Sequence, residues 1–312
     1  MKGFKNSFKT TKAVKPKKMI ASTKKTFSMA EEPHFVKELN KKTKLKTSHH
    51  ILHWNVNGIR AAIKKEIFRD FILENDFDII CLNETKINHE KLMQSKVHED
   101  TLWQGYHQYW HFSTRRKGYS GCAIFSKEKP LSYSFGLGHE RFDSEGRTVT
   151  LEFQNFYVVS AYAPSISDNF DEAIVAMRNE VWETAFQNHL LKLREKKHVV
   201  MAADLNAPSQ DIDIIRKYRK KWVKILERGM EIFQEFLEKG FTDVFREMNP
   251  GKEQFTSWCT KYSARDINQG WRLDFFIVDD RCFKYVKKMV IRDQVMASDH
   301  CPLEMLIDFS KK

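Results

Sequence analysis

Five apolar residues, Val199 to Ala203, run directly into Asp204 and Asn206. A carboxylate and an amide delivered together at the end of a strand can hold and activate a water molecule. Taken alone, Asp-x-Asn also starts a turn. The pattern recurs, however. Asn55 and Asn57, Glu84, Tyr162, Asp274, and Asp299 with His300 all stand at the ends of short apolar runs. In α/β sheets the strand ends are where ligands sit. The set is carboxylates, amides and one histidine, with no second histidine at ligand spacing. Hard oxygen donors of this kind suit Mg²⁺, with Mn²⁺ as the alternative, rather than Zn²⁺. The implied chemistry is metal-assisted attack of water on a phosphodiester.

The elements that must present these groups follow from periodicity. Short apolar runs read as buried strands whose side chains alternate between faces. Strands are predicted over 51–56, 78–82, 106–112, 122–125, 148–153, 157–162, 272–278 and 303–307, besides the run before Asp204. Ile63, Ile67, Phe68, Phe71 and Ile72 have amphipathic-helix spacing and predict a helix over 60–75. Further helices are expected over 170–196 and over 227–239, the latter stopped by Gly240. Strand, helix and strand in the first section argue for alternating α and β elements. The successive strands of the middle section argue for antiparallel pairing.

Composition sets the outer limits. The chain has 312 residues, 41% hydrophobic and including 24 Phe, enough for a sizeable core in one large domain or two ordinary ones. No apolar run approaches the roughly 18 residues of a membrane span, so no membrane association is expected. Cys81, Cys122, Cys259, Cys282 and Cys301 are odd in number and lack Cys-x-x-Cys spacing, which suits a reducing compartment. The net charge of +12 is concentrated in residues 1–48, where 14 Lys stand against 3 Glu; the rest is nearly neutral. Residues 1–47 read as a disordered Lys-rich tail and residues 48–312 as one catalytic domain. Lys15-Pro16-Lys17-Lys18 has the character of a nuclear-localisation patch. The acid-poor, Ser-containing start leaves a mitochondrial address as the alternative, although transit peptides are Arg-rich and this stretch has no Arg.

Seven motifs carry a resemblance. Trp54-Asn55-Val56-Asn57-Gly58-Ile59-Arg60, Leu82-Asn83-Glu84-Thr85-Lys86 and Gly118-Tyr119-Ser120-Gly121 come first. Glu145-Gly146-Arg147, Asp204-Leu205-Asn206, Gly270-Trp271-Arg272-Leu273-Asp274 and Ser298-Asp299-His300 follow. In order and type they resemble the exonuclease III family of apurinic/apyrimidinic (AP) endonucleases, within the endonuclease/exonuclease/phosphatase superfamily, over about residues 49–310. The resemblance implies an α/β (α+β) fold, a four-layer sandwich of two packed mixed β-sheets flanked by helices. It implies Mg²⁺ near Glu84, Asn57 and Asp299, with Asp204, Asn206 and His300 also within the candidate metal set. It makes Asp204 the group that activates water, supported by Asn55, with Asn206 holding the water or the phosphate. His300, oriented by Asp274, would donate to the phosphate oxygen where charge accumulates. Tyr162 would contact the scissile phosphate as phenol or phenolate. Arg60, Lys65, Tyr119 and Arg147 would contact the DNA backbone, and Trp258 and Trp271 would lie near a pocket for the flipped, base-less sugar.

Two departures bear on substrate. Ser165 stands where the family usually has Asn or Gln. The segment before Glu227-Arg228 lacks the family's Pro, and the basic, aromatic stretch Arg216–Lys224 lies there instead. Either that stretch contacts DNA or it is a solvated helix face. The expected function is a monomeric Mg²⁺-dependent AP endonuclease of base excision repair. It would cut double-stranded DNA 5′ to abasic sites, with 3′-exonuclease or 3′-phosphodiesterase activity. The alternatives are a superfamily phosphodiesterase acting on RNA, inositol phosphates or lipid headgroups, and an inactive nucleic-acid-binding homologue.

Overall fold

The computed structural model describes residues 34–35, 46–166, 171–260 and 263–310. The expected tail lies almost wholly outside them. Residues 32–312 form one compact unit. In chain order its strands are β1 (His34–Phe35), β2 (Ser48–Asn55), β3 (Ile79–Asn83), β4 (His107–His111) and β5 (Cys122–Ser126). Next come β6 (Ser132–Phe135), β7 (Thr148–Glu152), β8 (Phe156–Tyr162), β9 (His198–Asp204) and β10 (Phe241–Asp243). The last are β11 (Ser257–Trp258), β12 (Gly270–Trp271), β13 (Asp274–Asp279), β14 (Val286–Ile291) and β15 (Leu303–Asp308).

Two mixed sheets result. One has the order β1-β4-β5-β3-β2-β15-β14 and the other β10-β13-β9-β8-β7-β6, with β11 and β12 forming a separate pair. Each large sheet contains one parallel pair, β2 with β3 and β8 with β9, among antiparallel neighbours. Alternation along the strands builds the layers. Ile51, Ile79, Cys81, Val158, Val200, Ala202 and Phe276 share the central core between the sheets. Leu52, Trp54, Ile80 and Leu82 turn outward to meet Phe68, Phe71 and Ile72 of the helix Glu66–Asn75. Val199, Met201, Ala203 and Phe275 turn outward on the other sheet to meet Trp182, Phe186, Leu190 and Phe233. These side chains are buried on both faces of each sheet, which is why the strands read as near-continuous apolar runs.

The helices differ from expectation in their bounds. The segment over 60–75 is two helices, Ile59–Ala62 and Glu66–Asn75. The segment over 170–196 runs from Glu172 to Arg194, and Met177–Trp182 forms a π-helical turn within it. Asp171 caps its start by accepting from the Ala173 and Ile174 N–H groups. The helix expected over 227–239 begins earlier, spanning Arg219–Glu238 and absorbing most of the basic stretch. Within that stretch Arg216 and Arg219 pair with Glu253, and Trp222 meets Trp271 edge-on at 5.3 Å. These contacts tie the stretch to the protein itself. Among the described residues no helix is long and apolar enough to cross a membrane.

Candidate active site

Register brings the expected residues together. Across three adjacent strands of one sheet, Tyr162 of β8, Asp204 of β9 and Asp274 of β13 lie side by side. In the facing sheet Asn55 of β2 pairs with Asn83 of β3. Inward parity on all five strands aims these polar groups into the layer between the sheets, at its open end. Past the strand ends the chain adopts left-handed backbone at Asn57 (φ 45°), Glu84 (φ 51°) and Asn206 (φ 48°). Such conformations raise the energy by about 1–3 kcal/mol each and concentrate at functional sites.

Asp204 is fully buried, and both carboxylate oxygens are held. Asn55 Nδ2 donates to Oδ2 at 2.7 Å, and the Asn206 N–H donates to Oδ1 at 2.9 Å. Its own N–H is received by Asn83 Oδ1 at 3.1 Å. Asn206 does not follow the strand's alternation, because β9 ends at Asp204. Its amide donates to the Ala163 carbonyl at 2.9 Å instead. Burial, reinforced by the neighbouring Asp274 carboxylate, pushes the Asp204 carboxyl upward, toward the range of a working base.

Asp274 is the hub behind it. His300 Nδ1 lies 2.7 Å from Oδ2, Thr256 Oγ1 donates to the same oxygen at 2.7 Å, and His53 Nε2 lies 2.9 Å from Oδ1. Burial opposes ionisation of Asp274, but the two histidines outweigh it and hold the carboxyl below its usual range. Burial likewise opposes charge on His300, yet the Asp274 and Asp204 carboxylates hold the imidazole well above its usual range. Asp204 Oδ2 stands 4.0 Å from His300 Nε2. The site therefore places an imidazole and a carboxylate across a gap of atomic dimensions.

Tyr162 donates its hydroxyl to Glu84 Oε1 at 2.8 Å. Burial, with Glu84 and Asp204 nearby, pushes the phenol well above its usual range, a direction that favours the donor form seen in its bond to Glu84. The Lys86 ammonium lies 3.3 Å from Glu84 Oε1 and also donates to Asn57 Oδ1. Glu84 and Asn57 thus already embrace a cation. Asn57 and Asp299 line one cleft of about 390 Å³ together with Lys65, Trp258 and Ala297. This all-oxygen donor set fits a hard divalent cation. Asp204, Asp274 and His300 also bring one ligand atom each within 4.8 Å of one another. Hydrogen bonds already fill much of that second group.

The expected DNA contacts divide. Arg60 is exposed, and Lys65 is exposed with its ammonium on the Ala297 carbonyl. Tyr119 is partly exposed. Arg147 departs from the expectation of a direct contact. It is 1% exposed and is spent on Glu145 Oε2 (2.7 Å), the Tyr162 carbonyl (2.9 Å) and Tyr119 Oη (2.8 Å). It fixes Tyr119 and Tyr162 rather than reaching solvent. Trp258 is buried beneath the Arg265 guanidinium, and Trp271 is half-buried against Trp222. Sequence reasoning overlooked His53, Asn83, Thr256 and Ser257. His53 shares inward parity with Ile51 and Asn55, so alternation alone marks it. Thr256 and Ser257 carry no local signal, since their partners Asp274 and His300 are 18 and 43 residues away.

Comparisons with known proteins place the chain in a family. Residues 52–300 match the model of the Endonuclease/Exonuclease/phosphatase family. The chain is 39% identical over 260 residues to an exodeoxyribonuclease of Bacillus subtilis, covering 83% of this chain and 99% of that one. It is 35% identical to a DNA-(apurinic or apyrimidinic site) endonuclease of Dictyostelium discoideum, covering 83% and 71%. The crystal structure of an AP endonuclease from Leishmania major superposes with a TM-score of 0.72 at 25% identity, covering 84% and 88%. By sequence and fold, this chain belongs to the endonuclease/exonuclease/phosphatase family of hydrolases.

Proposed function

We propose that the chain is a DNA repair nuclease that hydrolyses the phosphodiester 5′ to an abasic site. The products would be a 3′-hydroxyl and a 5′-deoxyribose phosphate, with 3′-exonuclease action as a companion activity. The observation that carries this reading is the opposition of Asp204, held by Asn55 and the Asn206 N–H, to His300, held by Asp274. Asp204 positions the water and takes its proton. His300 and the Tyr162 phenol donate to phosphate oxygens as negative charge accumulates, the type of donor whose removal typically lowers rate by about 100–1,000-fold. Asn206 steadies the water or the phosphate. Glu84, Asn57 and Asp299 would hold Mg²⁺, which when bound offsets charge on the phosphate. Exposed Arg60 and Lys65 set the register of the DNA backbone. The names of the Bacillus subtilis and Dictyostelium discoideum relatives support DNA as substrate.

The test is a duplex oligonucleotide carrying one tetrahydrofuran abasic analogue, incubated with Mg²⁺ or with EDTA. Mg²⁺-dependent incision on the 5′ side is the expected result. Binding without incision would instead identify an inactive homologue. Turnover of other phosphodiesters alone would move the substrate to RNA, inositol phosphates or lipids.

A further inference from the structure

Ser257 stands inside the site with no part in the reaction above. Its Oγ lies 3.1 Å from His300 Nε2, while Asp274 occupies the ring's other nitrogen at 2.7 Å. The imidazole is thus held at both edges. Asp204 Oδ2 stands 4.0 Å from Nε2, beyond hydrogen-bond reach. A hydroxyl offers one donor and two acceptor lone pairs, so it can meet Nε2 whether or not that nitrogen carries hydrogen. The serine is itself fixed. Its backbone pairs with Trp271 and bridges to His300. The flanking Trp258 N–H donates to the Asp299 carbonyl at 2.9 Å, and the Cys301 N–H donates to the Thr256 carbonyl at 2.8 Å. Ser257 is half-buried, and His300 is 7% exposed.

We propose that Ser257 is a positioning residue that keeps His300 and Asp204 apart. Tethered only at Nδ1, the ring can tilt until Nε2 closes on Asp204 Oδ2. That contact would consume the donor meant for the phosphate and the carboxylate meant for the water together. Ser257 supplies the competing partner that holds Nε2 on the substrate side. The inference rests on the reading of His300 as phosphate donor and Asp204 as water base.

Ser257→Ala and Ser257→Thr, each made in the wild-type and His300→Asn backgrounds, test it by single-turnover incision of the abasic duplex with Mg²⁺. Ser257→Ala is expected to lower the maximal rate about tenfold while half-saturation stays within about twofold. The thermal midpoint should not move. Ser257→Thr, which keeps the hydroxyl, should recover most of the rate, and Ser257→Ala should add no loss to His300→Asn. An undiminished rate in Ser257→Ala, or an equal loss in both backgrounds, overturns the proposal. A second readout needs no substrate: the ring ¹⁵N signals of His300, assigned by their loss in His300→Asn. They should shift in Ser257→Ala, and unchanged signals overturn the proposal even if the wild type cuts abasic DNA. If the wild type cuts none, the substrate reading fails while the ring signals still decide the role of Ser257.

Discussion

At the scale of single residues, the chemistry was legible because strand-end polar groups are costly to hold between two sheets unless something uses or satisfies them. Asp204 and Asp274 stood out through the recurrence of such groups along the chain, and their roles came with the family resemblance. What each does depends on partners from distant segments; Asn55 and His300 came with the resemblance, while His53 and Thr256, both on Asp274, were invisible. Asp204→Asn keeps shape and hydrogen-bonding capacity but cannot take a proton. Its incision rate should fall by about 100–10,000-fold, the usual contribution of a positioned base. DNA binding, read by anisotropy, should remain near the wild-type level. A variant that still cuts well would remove Asp204 from the centre of the mechanism. Tyr162→Phe deletes the donor that meets Glu84 Oε1 at 2.8 Å. A loss of about 100–1,000-fold in rate is expected, because the phenol sits where a phosphate oxygen donor is needed. A loss seen only in half-saturation would instead make it a binding contact.

At the scale of elements, the buried strands that carry the site were legible, while the exposed or short strands β6, β10 and β14 and the helix bounds were not. Runs such as Val199–Ala203 are buried on both faces, so composition alone marks them. The helix Arg219–Glu238 starts in a basic stretch where periodicity gives little warning. The segments that join elements also hide their reasons in the sequence. Gly146 has φ 67°, and a Cβ there would lie 2.4 Å from the Phe112 carbonyl carbon, so Glu-Gly-Arg is a packing requirement as much as a chemical one. Arg272 follows the same logic. It is fully buried and bridges Asp213 and Asp243, with contacts of 2.7 Å to each. Ser209 Oγ accepts from it at 3.0 Å. This network locks the strand leading into Asp274 against the loop that follows Asn206. Arg272→Ala leaves two buried carboxylates without their main counter-charge and should cost about 3–5 kcal/mol of stability. Urea unfolding of wild type and variant checks it. A loss under about 1 kcal/mol would mean that Arg246, also on Asp213 at 2.5 Å, suffices.

At the scale of the whole molecule, the four-layer arrangement was legible through the family resemblance, alternation giving only the strands, and two histidines within it, His49 buried and His189 half-buried, couple stability to pH. Burial lowers both His49 and His189 from the ordinary 6.5 to about 4. His49 packs on Phe156 with ring centroids 4.9 Å apart, and His189 Nε2 lies 3.0 Å from Thr150 Oγ1. Below the ordinary value the unfolded chain takes up protons that the folded chain refuses. Stability is therefore full above about 6.5 and declines as pH falls toward 4, by about 2 kcal/mol per histidine at pH 5. Urea midpoints at pH 7.5 and pH 5 should show the drop, and His189→Gln should reduce it. A flat profile in the wild type would mean that the two rings gain protons without opening the core. Charge is the other whole-molecule property, and it is concentrated at one end of the sequence: residues 1–48 carry 14 Lys and 3 Glu of a chain whose net charge is +12. Phosphate neutralisation makes DNA affinity fall with salt in proportion to the number of cations engaged. Removing residues 1–47 should therefore weaken binding at low salt and flatten the salt dependence. Turnover at saturating DNA should persist, because among the described residues the groups that meet Asp204, Asp274 and Glu84 lie beyond residue 47. A truncated protein that binds normally but fails to turn over would place part of the catalytic apparatus in the tail.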